Sequence, residues 1–320
     1  MTSCFFVSDI HGRIDRYEKL FAAIAKERPA AVFLGGDLMP SALMSLTADG
    51  VDHPDFVHDF LAKGFIELKK KLGEAYPRVF LILGNDDGRF DEQKIVDAAR
   101  GGVWEYIHNH SVRLDEFSVY GYAYVPPSPF LLKDWERYDV SRYVDPGCVS
   151  PEEGYHSVSA PKHELKYATI QKDLKQLVGE DNLSKAIFLF HTPPYQSKLD
   201  RAALDGKMID HVPLDVYIGS IAVKRFIVAR QPAVTLHGHV HESARLTGSW
   251  KDKIGETYAF SAAHDGPELA LVRFELENPE TATRELLEPS GLSLSAMVWR
   301  RPSPPQFLQH NCCAARCLCR

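Results

Sequence analysis

Short, wholly apolar runs recur along this chain, and each breaks off at a glycine or a polar residue. They are Cys4-Phe5-Phe6-Val7, Ala31-Val32-Phe33-Leu34, Val79-Phe80-Leu81-Ile82-Leu83, Ala186-Ile187-Phe188-Leu189-Phe190 and Ala233-Val234-Thr235-Leu236. Runs this short and this continuous read as strands buried on both faces of a largely parallel sheet. Between them the apolar residues fall at helical spacing. Ile14, Tyr17, Leu20, Phe21 and Ile24 share one helical face, and Pro29 stops that helix. Asp55 to Leu72, about Tyr167 to Leu177, and Ile218 to Ala229 read as further helices. Alternating strands at Tyr258-Ala259-Phe260 and from Leu269 to Leu276 close the pattern. Strands alternating with helices predict an α/β fold with its ligands at the carboxyl edges of the strands.

The stretch from about Gly102 to Gln176 is less regular. Ser118 to Val125 alternates like a strand and runs into Pro126-Pro127-Ser128-Pro129, where missing amide donors forbid a sheet interior. Trp135, Arg137, Tyr138, Arg142 and Tyr143 then crowd together before Pro146-Gly147. The plain expectation is a surface loop with its aromatics tucked onto the core; the sharper one is an insertion lining the mouth of a site. Pro40 to Pro54 reads as an irregular loop, and the expected domain covers residues 1–287. Residues 288–320, rich in Pro, Ser and Cys, read as a poorly packed tail.

Composition narrows the class. With 320 residues, 45% hydrophobic and 25% charged, the chain can bury a full core. A net charge of -6 gives no general attraction to nucleic acid or acidic membranes. No apolar run has the length of a membrane span. The apolar N-terminus lacks a basic region and runs straight into Asp9, so no cleavable signal is expected. Four of the six cysteines sit at 312, 313, 317 and 319, leaving a cysteine-poor body suited to a reducing, cytoplasmic setting.

Each strand end carries chemistry. After the first come Asp9 and His11, which point the same way if the strand stays extended, and then Gly12 for a tight turn. Asp37 follows Gly35-Gly36, Asn85 follows Gly84, His191 precedes Pro193-Pro194, and His239 and His241 follow Gly238. A lone histidine after a strand is usually a packed or solvated residue, and a G-G-D is usually a turn. Five such ends, all offering oxygen or imidazole nitrogen on the same edge, point to divalent metal.

The order D-x-H, G-G-D, G-N-x-D, H, G-H-x-H resembles the calcineurin-like metallophosphoesterase superfamily, over about residues 5–242. The resemblance implies a four-layer αββα sandwich: two mixed sheets packed face to face, flanked by helices, with the metal site at the strand ends. It implies that Asp9, His11 and His241 hold one metal, that Asn85, His191 and His239 hold the other, and that Asp37 bridges them. Two divalent ions (Mn, Fe or Zn), about 3.5–4 Å apart, would lower the pKa of a bridging water, whose hydroxide attacks phosphorus in line. Asn85 adds no charge, and its amide N–H can donate to a phosphate oxygen.

One position departs from the family pattern. Where a histidine usually follows the asparagine and helps protonate the leaving group, this chain has Asp86, followed by Asp87. An ionised Asp86 cannot donate a proton and repels a dianionic phosphate, which shifts expectation toward diesters and good leaving groups. With Asp37, Asn85 and Asp86 as catalytic residues, the leading expectation is a metal-dependent phosphoesterase acting on a small phosphoester. A non-catalytic interaction module on the same fold, or a nuclease of the superfamily, stands as the alternative; the acidic balance argues against the nuclease. His237 is expected to support the ligands or simply to pack. Arg13 reads as a solvated helix start, and His211 and His264 receive no role.

Overall fold

The computed structural model describes residues 2–42 and 55–288. Most of the expected Pro40–Pro54 loop, and the tail with its four cysteines, lie outside the described residues. Two mixed sheets of six strands form the centre. In the first, β1 (Ser3–Val7), β2 (Ala31–Gly35), β3 (Arg78–Ile82) and β4 (Glu105–Tyr106) run parallel. In the second, β5 (Ser111–Leu114) is the antiparallel edge beside β6 (Phe117–Tyr122), and β7 (Ala186–Phe190) runs parallel to β6. A two-stranded ribbon, β8 (Met208–Ile209) and β9 (Val212–Pro213), lies outside both. The second sheet continues with β10 (Val234–His237), β11 (Lys251–Ile254) and β12 (Thr257–Ser261), and β13 (Leu269–Glu275) returns the chain to the first sheet, antiparallel to β1. β14 (Asn278–Leu287) completes that sheet's edge.

The core lies between the sheets. β2 and β3 face β6 and β7, and β2 and β7 are buried along their whole length. This is why they carry continuous apolar runs rather than alternation. Phe188 stacks on Tyr120 at 4.6 Å between ring centroids and meets Phe226 of the helix Ile221–Arg230 edge-on at 4.9 Å. The helix Ile14–Glu27 covers the first sheet, presenting Ile14, Tyr17, Leu20 and Ile24 inward. The architecture is therefore the expected sandwich with flanking helices.

Some elements differ from expectation. The helix over 55–72 is wound in two ways: wide π-type turns from Phe56 to Ala62, then α-helix from Lys63 to Leu72. The expected helix around Tyr167–Leu177 starts only at Ile170, because Thr169 caps it through the Lys172 amide. The strand expected to reach Val125 stops at Tyr122. β4, β5, β11 and β14 have too few apolar residues for the pattern to register. The crowded stretch after the prolines follows the plain expectation in part: Trp135 is fully buried and Tyr138 nearly so, whereas Tyr143 is exposed. The Arg137 guanidinium lies 4.0 Å over the Tyr124 ring and pairs with Asp173 at 2.6 Å and with Glu164.

Candidate metal centre

All the site loops leave the carboxyl ends of β1, β2, β3, β7 and β10. The extended geometry expected for Asp9 and His11 does not hold. β1 ends at Val7, and Asp9 and His11 take left-handed backbone angles, φ 55° and 52°. Asp37 (φ 51°) and His239 (φ 73°) do the same. Such angles cost roughly 1–2 kcal/mol at a non-glycine residue, and here the surroundings impose them. The Asp9, His11 and Gly12 amides donate to the carbonyls of Gly36, Asp37 and Leu38, continuing the β1–β2 pairing as interlocked loops. The Asp9 side chain faces the second sheet, and its Oδ1 accepts from the His239 amide at 3.0 Å.

Four of the expected ligands form one group. One donor atom each from Asp9, His11, Asp37 and His241 lies within 4.8 Å of every other. His241 Nε2 is 3.2 Å from Asp9 Oδ1 and 3.2 Å from His11 Nε2, and His11 Nε2 is 3.9 Å from Asp37 Oδ2. Ligand atoms around one ion, each about 2.1 Å from it, stand roughly 3–4 Å apart, so the spacing suits a cation. Asp37 also reaches the other set. His191 Nε2 is 3.4 Å from Asp37 Oδ2 and 3.1 Å from Asn85 Oδ1. His191 Nδ1 donates to the Gly35 carbonyl at 2.8 Å, which leaves Nε2 to face the centre. The His239 ring packs edge-on to His191, with centroids 5.4 Å apart.

The electrostatics also suit a cation. Burial opposes a proton on His11, but Asp86, Asp37 and Asp9 outweigh it and push its pKa up to about 9. Burial likewise opposes charge on His191, and Asp37 and Asp9 push it up to about 9. Despite its own burial, Asp37 is held down at about 2 by the two imidazoles, and Asp9 is held below the usual carboxylate range. The carboxylates thus collect protons where a metal could supply the charge instead. Burial and the neighbouring His191 push His239 down to about 3, which keeps it neutral as a ligand must be.

Residues behind the ligands hold the loops. Asp87 is fully buried and accepts from the Leu38, Met39 and Gly84 amides, tying the loop after β3 to the loop after β2. Burial and the nearby Asp37 push it up to about 7. Arg16 was legible only as a helix residue, yet it is buried and donates to the Asp9 and Gly266 carbonyls, each at 2.6 Å. No motif marks it, because its partners are backbone atoms distant in sequence. His237 packs: it is buried, stacked on Phe190, and bonded to the Thr192 carbonyl and the Thr235 hydroxyl. Arg13 pairs with its neighbour Asp15, and His264 with Glu268. His211 lies between β8 and β9, at φ 67°.

The family model for calcineurin-like phosphoesterases matches residues 3–243, well over half of the chain. The chain belongs to that family. No curated protein matches it. Among solved structures it is similar to TT1561 of Thermus thermophilus, at 16% identity and a TM-score of 0.52, covering 90% of this chain and 99% of that one. It is also similar to a dimetal phosphatase from Danio rerio, at 11% identity and a TM-score of 0.45, covering 85% and 91%. At 16% identity the likeness to TT1561 is one of fold.

Proposed function

We propose that this protein is a metal-dependent phosphoesterase that hydrolyses a small phosphoester and favours diesters over dianionic monoesters. The convergence of Asp9, His11, Asp37 and His241 within 4.8 Å carries the reading. In it, Asp9, His11 and His241 would hold one divalent ion, Asn85, His191 and His239 would hold a second, and Asp37, whose Oδ2 lies near both His11 and His191, would serve both. When bound, two such ions supply Lewis-acid polarisation of the phosphoryl oxygens and offset the charge that develops in the transition state.

The chain's own residues shape the rest. Asn85 brings no charge, and its amide can donate to a non-bridging phosphate oxygen while its Oδ1 faces His191. Asp86 stands at the edge of the site with its side chain 28% exposed. Both of its oxygens already accept, one from Ser41 at 2.6 Å and one facing His11 Nδ1 at 3.2 Å. A carboxylate so engaged offers no proton to a leaving group and repels a second negative charge on the substrate. A diester with a good leaving group escapes both penalties. The acidic balance favours a small substrate over nucleic acid, and the cysteine-poor body suits the cytoplasm. Among the described residues, no helix is long and apolar enough to cross a membrane. Residues 1–287 are taken as the catalytic domain.

The test uses metal-stripped protein with bis-p-nitrophenyl phosphate and p-nitrophenyl phosphate, before and after manganese is added. Manganese-restored turnover, faster on the diester and lost in Asp37→Ala and His239→Ala with the fold retained, is the expected result. Turnover indifferent to metal would overturn the reading. Absence of both turnover and metal binding would leave a non-catalytic interaction module.

A further inference from the structure

The residue that departs from the family pattern has a specific place in the site. Its backbone amide donates to Asp37 Oδ1 at 2.8 Å. Its side chain spans two other groups: Oδ2 lies 3.2 Å from His11 Nδ1, and Oδ1 accepts the Ser41 hydroxyl at 2.6 Å. The Asp86 carbonyl accepts the Ala42 amide at 3.0 Å, so the loops after β2 and β3 are joined on both sides of this residue.

An imidazole offers a metal only the nitrogen that carries no proton. His11 has its Nε2 turned into the cluster, 3.2 Å from His241 Nε2 and 3.9 Å from Asp37 Oδ2. Its Nδ1 faces away, toward Asp86. A carboxylate is an acceptor only, so this contact requires the proton on Nδ1, and it is the Nε2 proton that a bound ion would displace to take the inward-facing lone pair. The contact also fixes the ring plane, and negative charge behind the ring makes Nε2 a better donor. Ser41 in turn restrains the carboxylate. We propose that Asp86 is a positioning residue: with Ser41 it sets the tautomer and orientation of His11 and thereby raises affinity for the ion that His11 holds. The corresponding support for His191 comes from a backbone carbonyl, that of Gly35. The two imidazoles are thus oriented by different chemistry: the group behind His11 can be removed by a side-chain substitution, and the carbonyl behind His191 cannot.

The proposal rests on the metal-site reading above, and its test separates the two. Manganese is titrated calorimetrically into the metal-stripped full chain, as wild type, Asp86→Ala, Asp86→Asn and Ser41→Ala. In parallel, imidazole ¹H–¹⁵N spectra are recorded on the metal-free proteins. Asp86→Ala should weaken one of the two manganese steps by roughly 10–100-fold and leave the other unchanged. Asp86→Asn, whose side-chain oxygen still accepts from Nδ1–H, should restore most of that loss. Ser41→Ala should weaken the same step by a smaller factor, and it serves if Asp86→Ala unfolds. The exchange-protected His11 Nδ1–H signal should be present in wild type and Asp86→Asn and absent in Asp86→Ala. An unchanged signal and unchanged affinity in Asp86→Ala would overturn the proposal, as would an Asp86→Asn defect equal to that of Asp86→Ala. If the wild type binds no manganese, the metal-site reading falls and the spectra alone decide the role of Asp86.

Discussion

Gly84 shows how little room the candidate ligand cluster has. A Cβ there would fall 2.3 Å from Asp37 Oδ1 and 2.7 Å from His191 Cε1. Both neighbours are fixed, Asp37 by the Asp86 amide and His191 by the Gly35 carbonyl. Neither can yield without moving a ligand. Gly84→Ala should therefore weaken manganese binding at least about tenfold, the lower end of what displaced supporting groups cost, while the far-ultraviolet circular dichroism stays native. Wild-type affinity in that variant would mean the cluster is looser than its packing indicates. The left-handed angles at Asp9, His11, Asp37 and His239 belong to the same economy: backbone strain is concentrated where side chains must converge, and the interlocked loop amides hold it in place.

The insertion between β6 and β7 depends on a buried ion pair. Lys133 and Glu136 are in direct contact with no exposed side-chain surface. Ser128 closes the group: its amide and hydroxyl donate to Glu136, and its carbonyl accepts from Lys133. Removing one member strands the other charge, which typically costs about 3–5 kcal/mol, whereas replacing both with apolar residues can be neutral. Lys133→Ala should accordingly lower unfolding stability by about that amount in urea titrations, and Lys133→Met with Glu136→Leu should recover most of it. Equal stability of Lys133→Ala and wild type would show that the pair contributes little to holding this segment.

Across the molecule, the proposed metal site joins the two sheets at their carboxyl ends. Asp9 and Asp37 belong to the first sheet, and His191, His239 and His241 to the second. Ions bound there would cross-link the halves only in the folded state, so they stabilise by mass action: at a hundredfold excess over Kd, about 2.7 kcal/mol per site. Calorimetric melting should show a higher Tm with manganese than with chelator, and Asp37→Ala should erase the difference. A Tm indifferent to both would mean that manganese does not bind the folded chain preferentially, and the metal-site reading would fall.

Local pattern was enough to find the strands buried on both faces and several of the helices beside them, though not Glu92–Arg100, and it marked Asp9, His11, Asp37 and His241, whose donor atoms the fold brings within 4.8 Å of one another. Continuous apolar runs fix which segments are buried on both faces, and polar groups at their ends announce the site. What local pattern could not supply is direction. Alternation predicts that Asp9 and His11 point together, yet they converge through left-handed turns imposed by the neighbouring loop. Arg16 and Ser41 gave no signal, since their partners are a carbonyl seven residues away and a carboxylate brought in from another strand. The edge strands β4, β5, β11 and β14 were invisible because backbone pairing with a neighbour, rather than apolar content, makes them strands. The role of Asp86 changed most between the two views. Charge alone made it a poor acid; its place between Ser41 and His11 is set by the meeting of two loops, which only the folded chain brings within hydrogen-bond reach.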